Sequence, residues 1–194
     1  MRMMIVALHI RTMIKVDKAS YDNSWYKPGS YPKRVLWHFA GAIFIKSALI
    51  PFSSIKVRVL RLFGAEVGDH VTIKPGVTIK YPWKLKVGSY VGIGENVWID
   101  NLDFIDIGDQ VTISQGALLL TGSHDLGKSS FDLLLKPISI EDGVWITAKS
   151  IVCQGVTCGS HSVLGIGSIA TSNMEPYYVY SGSPAKKKQK RVMN

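Results

Sequence analysis

Between Val67 and Ala170 an aliphatic residue returns every six positions. The beat opens as VGDHVT, IKPGVT and IKYPWK (67–84), resumes as VGSYVG, IGENVW and IDNLDF (87–104), and resumes again as IGDQVT, ISQGAL and LLTGSH (107–124). After an interruption it returns as IEDGVW, ITAKSI, VCQGVT, CGSHSV and LGIGSI (140–169). A helix needs apolar residues three and four apart and a half-buried strand needs them two apart, so a period of six is neither. It fits a short strand followed by a tight corner, repeated three times per turn, which stacks parallel strands into a triangular prism. The leading aliphatic residue of each hexad then points inward, and the residue four places on (Val71, Val77, Val97, Val111, Val144) points in beside it. Gly68, Gly88, Gly94, Gly108 and Gly159 recur at second place, where the expectation is a corner whose backbone angles a Cβ reaches only at a cost.

This pattern resembles the left-handed parallel β-helix of hexapeptide-repeat proteins. The hand is taken from that resemblance, because crossovers between parallel strands are otherwise right-handed. The expected organisation is mainly β: an N-terminal extension (1–16), a helical cap (17–66), the left-handed parallel β-helix (67–172) with an excursion at 125–137, and a basic C-terminal tail (173–194). Within the beat, VGIGEN (91–96) is followed by no helical pattern, which removes a dinucleotide loop. GIGSIA (165–170) is not the G-x-S-x-G of a hydrolase elbow.

Residues 33–63 break the beat and read as helical, with Pro51 dividing them. The apolar run from Val35 to Ile50 is shorter than the roughly 20 residues of a membrane span and contains Lys46. Two compatible readings remain: a cap over the first coil and its unpaired strand edge, or an interfacial helix whose Lys56, Arg58 and Arg61 reach lipid headgroups. The start of the chain carries a short apolar run after Arg2, but Arg11 and Lys15 interrupt it and no small-residue cleavage site follows, so a secretion signal is not expected.

The net charge of +9 points to a phosphate-bearing partner or an anionic surface. The excess sits in KVRVLR (56–61) and KKKQKR (186–191), which argues against a continuous nucleic-acid groove. Cys153 and Cys158 are the only cysteines. They make neither a disulfide framework nor a zinc knuckle, and a reducing cytoplasm is the expected setting. His70, His124 and His161 are expected on distant coils and at different phases of the hexad, so no zinc site is expected.

Beyond the hexads, the ordered segments DNSWYKPG (22–29), LRLFGAEVG (60–68), IKPGVTIKYPWKL (73–85), IGENVWIDN (93–101), TGSHD (121–125), KPISIEDGVWI (136–146) and SGSPAK (181–186) resemble the colanic acid biosynthesis acetyltransferase family. The resemblance runs from about Asp17 onward. It implies transfer of an acetyl group from acetyl-CoA to a sugar hydroxyl in surface-polysaccharide assembly, in a homotrimer whose clefts hold CoA between neighbouring prisms. Cyclic closure of three flat-faced prisms leaves three equivalent clefts.

The same resemblance assigns His124 of TGSHD as catalytic. An imidazole half available near neutrality suits a general base that takes the proton of an attacking hydroxyl, and loops leaving a rigid scaffold often carry function. Asp125 either orients His124 or shapes the loop. Asn101 and Asp103 either contact the acceptor or are solvated corner residues. Trp145, Ala148, Ile166, Thr171 and Lys186 match positions that flank the CoA cofactor in relatives, whereas Thr147 replaces a frequent Gly and Ser172 a frequent Lys. Trp25, Tyr26, Tyr81 and Trp83 either stack on sugar faces or pack. Two further readings stay open: a broad-specificity acetyltransferase of small acceptors, and a catalytically silent scaffold, against which the intact TGSHD counts. An acceptor carried on a lipid would bring peripheral contact with the inner face of the membrane.

Overall fold

A computed structural model describes residues 15–193; most of the expected N-terminal extension, 1–14, lies outside the described residues. The hexads form a parallel β-solenoid with three faces. The first face stacks Glu66–Val67, Leu85–Val87, Ile105–Ile107, Ile138–Ile140 and Thr157–Cys158; the third stacks Thr78–Ile79, Trp98–Asp100, Leu118–Leu120, Ile151–Cys153 and Ile169–Ala170. The second face runs from Thr72–Ile73 through Gly92–Ile93, Thr112–Ile113, Trp145–Ile146 and Val163–Leu164. Strand register follows the sequence beat: Val67, Val87, Ile107, Ile140 and Cys158 stand directly over one another.

These hexad leaders and the residues four places on fill the prism. Ile73, Ile93, Ile113, Ile146, Val77, Val97, Val111 and Val144 are all buried, and burial of such side chains stabilises the stack by roughly 1.5–3 kcal/mol each. Cys158 belongs to this column, and burial, with the charge of Glu141 adding to it, pushes its thiol up to about 12.

The second-place glycines are required for a reason different from the expected one. The left-handed residues are at fourth place: His70, Tyr90, Asn96, Gln110, Lys149 and His161 all have φ between 56° and 59°. The second-place glycines instead sit where the next coil comes closest. A Cβ on Gly88 would lie 2.7 Å from the carbonyl carbon of Gly108, and one on Gly94 would lie 2.6 Å from the amide nitrogen of Gln115. His70 and His161 share one phase at the first corner, where different phases were expected. His70 stacks on Tyr90 and His161 leans on Tyr177. No group of three His, Cys, Asp or Glu side chains suited to a metal occurs among the described residues.

The open lower end of the stack is closed by helix α1 (Tyr31–Ala40), a π-helical turn (Gly41–Lys46) and helix α2 (Ser53–Leu62). Side chains from these elements satisfy backbone groups that the first coil would otherwise leave bare. Trp37 Nε1 donates to the Ile79 carbonyl, Ser53 Oγ accepts from the Ile73 amide, and Arg61 donates to the carbonyls of Val67 and Gly68. Lys56 is fully buried, with Nζ donating to the Lys74 carbonyl 3.2 Å away. Lys56 and Arg61 are therefore bound to the coil and cannot both reach lipid headgroups; Arg58 alone of the three is exposed without such a partner. Among the described residues no helix is long and apolar enough to cross a membrane.

The upper end departs from expectation. Residues 173–193 form no loose tail: Tyr178–Gly182 pairs with Val163–Leu164 as a further rung of the second face, and Ala185–Lys190 folds back antiparallel on it. Lys187 pairs with Glu175 at 2.7 Å, and Arg191 donates to the carbonyls of Gly143 and His161.

Candidate active site

The third corner of the prism carries the long excursion of the third coil, and buried polar residues build the edge from which it leaves. Asn101 is fully buried; its Oδ1 accepts from the Tyr81 amide at 3.0 Å and its Nδ2 donates to the Tyr81 carbonyl at 2.6 Å. With both ends of the amide engaged, Asn101 braces the coil below and does not present itself to an acceptor. Thr121, also fully buried, donates from Oγ1 to the Asp100 carbonyl and accepts from the Asp103 amide at 3.0 Å. Asp103 is half-buried and its carboxylate accepts from the amide of Phe104 at 2.8 Å.

From this braced edge the chain leaves as a hairpin, Gly122–His124 pairing antiparallel with Leu133–Leu135, with His124 opposite Leu133. His124 ends the outgoing strand, half-buried. Its Nδ1 lies 2.8 Å from the carbonyl oxygen of Phe131, and the Phe131 ring stacks on the imidazole with centroids 4.2 Å apart and planes 10° apart. A carbonyl only accepts, so Nδ1 carries a proton, and in the neutral imidazole the lone pair is on Nε2. Phe131 achieves this with φ of +55°, a conformation costly for a residue with a Cβ.

The orienting group is therefore the Phe131 backbone, not Asp125. Asp125 shapes the loop: its Oδ1 accepts from the Gly127 amide and its own amide donates to the Asp132 carbonyl. Lys128 and Ser130 both donate to the Asp132 carboxylate, which holds it below the usual carboxylate range. The segment expected as the start of the helical cap also packs here. Among the described residues before Tyr31, only Lys18–Ser20 form a short 3-10 turn. The Asp17 amide donates to the Ser129 carbonyl, and the Tyr21 ring sits 6.0 Å from the imidazole.

Sequence reasoning missed Phe131 and Tyr21. Of the aromatic residues proposed for sugars, Tyr26 donates its hydroxyl to the Leu102 carbonyl and Trp83 its Nε1 to the Pro28 carbonyl. Trp25 is the exposed one, with 55% of its surface free.

The residues expected to flank CoA do not gather around His124 within one chain. Trp145 stands on the second face, exposed, with Nε1 donating to Ser114 Oγ at 2.9 Å. Ala148 and Ile166 lie at the second corner on neighbouring coils, joined through the bond from the Gly167 amide to the Ala148 carbonyl. Thr147 fills its place by donating to the Leu164 carbonyl at 2.6 Å. Thr171 follows the last strand of the third face, and Lys186 lies on the terminal hairpin opposite Ser181. The second corner and the third corner are separated by the whole of the third face.

No protein-family model matches the chain. The chain is 40% identical over 133 residues, 69% of its own length and 73% of the relative's, to a protein of Escherichia coli (strain K12) provisionally named colanic acid biosynthesis acetyltransferase WcaF. The chain belongs to the colanic acid biosynthesis acetyltransferase family. This acetyltransferase is also 35% identical over 132 residues to the galactoside O-acetyltransferase of the same organism, a match covering 63% of this chain and 62% of that one. Among solved structures it resembles a hexapeptide-repeat acetyltransferase of Vibrio cholerae O1 biovar eltor complexed with acetyl-coenzyme A. The TM-score is 0.76 at 24% identity, over 84% of this chain and 88% of that chain. That likeness places the acetyltransferase in the hexapeptide-repeat fold.

Proposed function

We propose that the protein transfers an acetyl group from acetyl-CoA to a hydroxyl of a sugar in surface-polysaccharide assembly, with Nε2 of His124 as general base. The observation that carries this reading is the 2.8 Å contact of His124 Nδ1 with the Phe131 carbonyl, which leaves a lone pair on the opposite nitrogen. In the reaction, Nε2 takes the proton as the sugar oxygen attacks the thioester carbonyl. The tetrahedral adduct collapses by breaking the C–S bond, the thiolate takes the proton back from the imidazolium, and the acetyl ester and free CoA leave. No acyl-enzyme is needed, and holding both substrates in one cleft supplies much of the rate. The named relatives, a colanic acid acetyltransferase and a galactoside O-acetyltransferase, support a sugar hydroxyl as acceptor.

On this reading the cleft belongs to two chains. The third corner of one prism supplies His124, and the second corner and second face of its neighbour supply Ala148, Ile166 and Trp145 to the CoA chain, with Thr171 and Lys186 towards its far end. A homotrimer closes three such clefts. Support comes from the third face, which turns Leu118, Leu120, Ile151, Cys153 and Ile169 outward, an apolar column that a neighbouring prism would cover. The donor places the work in the cytoplasm, and a lipid-carried acceptor would place it at the inner face of the membrane.

The test is thiol release from acetyl-CoA with a panel of nucleotide- and lipid-linked sugars. His124→Ala is expected to lower transfer about a hundredfold or more while the oligomer stays intact. Near-normal turnover of that variant would remove His124 from the mechanism.

A further inference from the structure

Below the active-site edge, between the N-terminal helical segment and the first coil, lies a cleft of about 400 Å³. Its floor is apolar, with Trp37, Val77 and Ile79, and its walls carry the cations Arg34, Lys46 and Lys80 beside the imidazole of His38. Lys80 pairs with Asp100 at 3.5 Å. Among the described residues, the side chains of Arg34, His38 and Lys46 make no hydrogen bond or ion pair, and the Nε of Arg34 is buried without an acceptor. A buried guanidinium nitrogen left without a partner is costly, and an anion entering the cleft would satisfy it.

Two further features say what kind of anion. The turn that carries Lys46 to the cleft is π-helical, Gly41–Lys46, a local widening frequent at functional sites. Inside the cleft the apolar lining of Trp37, Val77 and Ile79 lies directly beside the cationic walls, whereas the exposed Leu36, Phe39 and Ile43 lie on the opposite face of the helix. A ligand matching both would be anionic at one end and apolar at the other.

We infer that this cleft binds the phosphate or diphosphate group of an amphiphilic ligand, with Arg34 and Lys46 as its principal contacts. Tyr81 lines the cleft and is the residue that Asn101 braces beneath Thr121. The cleft therefore lies on the same edge as the hairpin, about two coil spacings, or roughly 10 Å, below its root. Resting on the proposed function above, the further consequence is that the ligand is the acceptor's carrier: a sugar attached to the phosphate would extend along the edge towards His124.

Calorimetry on the full chain without acetyl-CoA tests the site itself, using inorganic pyrophosphate, geranyl diphosphate and uridine diphosphate as probes. Geranyl diphosphate is expected to bind more tightly than pyrophosphate. The Arg34→Gln/Lys46→Gln double variant, altered at half-buried and exposed positions, is expected to lose about tenfold or more of that affinity. His124→Ala should bind it as the parent does, and saturating coenzyme A should leave it unchanged. Uridine diphosphate matching geranyl diphosphate, with the same dependence on Arg34 and Lys46, would make the carrier a nucleotide and leave the phosphate site standing. Absence of binding by all three probes, unchanged affinity in the double variant, or displacement by coenzyme A would overturn the inference. Failure of the His124 chemistry alone would leave these binding results untouched.

Discussion

His124 is set by a backbone atom and a ring from the same residue. The Phe131 carbonyl fixes the tautomer and the Phe131 ring fixes the plane of the imidazole. Phe131→Ala keeps the carbonyl and removes the ring, so the expected result is a fall in kcat of about ten- to a hundredfold, the scale of a slightly misplaced catalytic group. KM for acetyl-CoA should stay nearly unchanged, which steady-state kinetics at fixed acceptor would read directly. An equal fall in thermal stability and no change in kcat would reduce the ring to a packing element. This arrangement was out of reach of the sequence because every residue carries a carbonyl, and the loop 125–132 has no beat to say which one faces the imidazole. Asp125 drew attention by adjacency, yet its carboxylate turns to the Gly127 amide.

At the scale of a single coil, the period of six was legible because an aliphatic side chain buried in a narrow prism tolerates no slip in phase. The sequence marked the second-place glycines as special but could not say why, since the cause lies one coil away. Gly88→Ala would press a methyl against the Gly108 backbone, and a loss of about 1–3 kcal/mol is expected from such overpacking. Gly92→Ala, by contrast, has nothing within 4 Å of the added carbon and is expected to be neutral or stabilising by about 0.4–1 kcal/mol. Urea unfolding of the two variants separates close approach from backbone freedom: equal losses would contradict it. The closing hairpin is hidden in the sequence for a related reason. The lysines of 186–190 look solvated, while the half-buried or buried Tyr178, Tyr180 and Ala185 that make the segment a strand fall outside the hexad.

For the whole molecule, one prism separates the imidazole from the residues expected around the thioester by an entire face, so assembly and activity should fail together. Ile151→Glu places a charge in the outward column of the third face without disturbing the buried Val152 beside it. The expected outcome is a sedimenting monomer that releases no thiol; a trimer with full turnover would assign the interface elsewhere. The solenoid also has two ends, and each is finished differently. A stack of equivalent rungs is a template on which a second copy could continue the pattern indefinitely, as fibrils do. Here the helices occupy one terminus with Trp37, Ser53, Lys56 and Arg61 seated on the bare amides and carbonyls, and the antiparallel strand Ala185–Lys190 shields the second face at the other, with exposed lysines at 186, 188 and 190. Growth along the axis is blocked at the helical pole on all three faces and at the other pole on the second face, which favours the flanks as the surfaces on which copies meet.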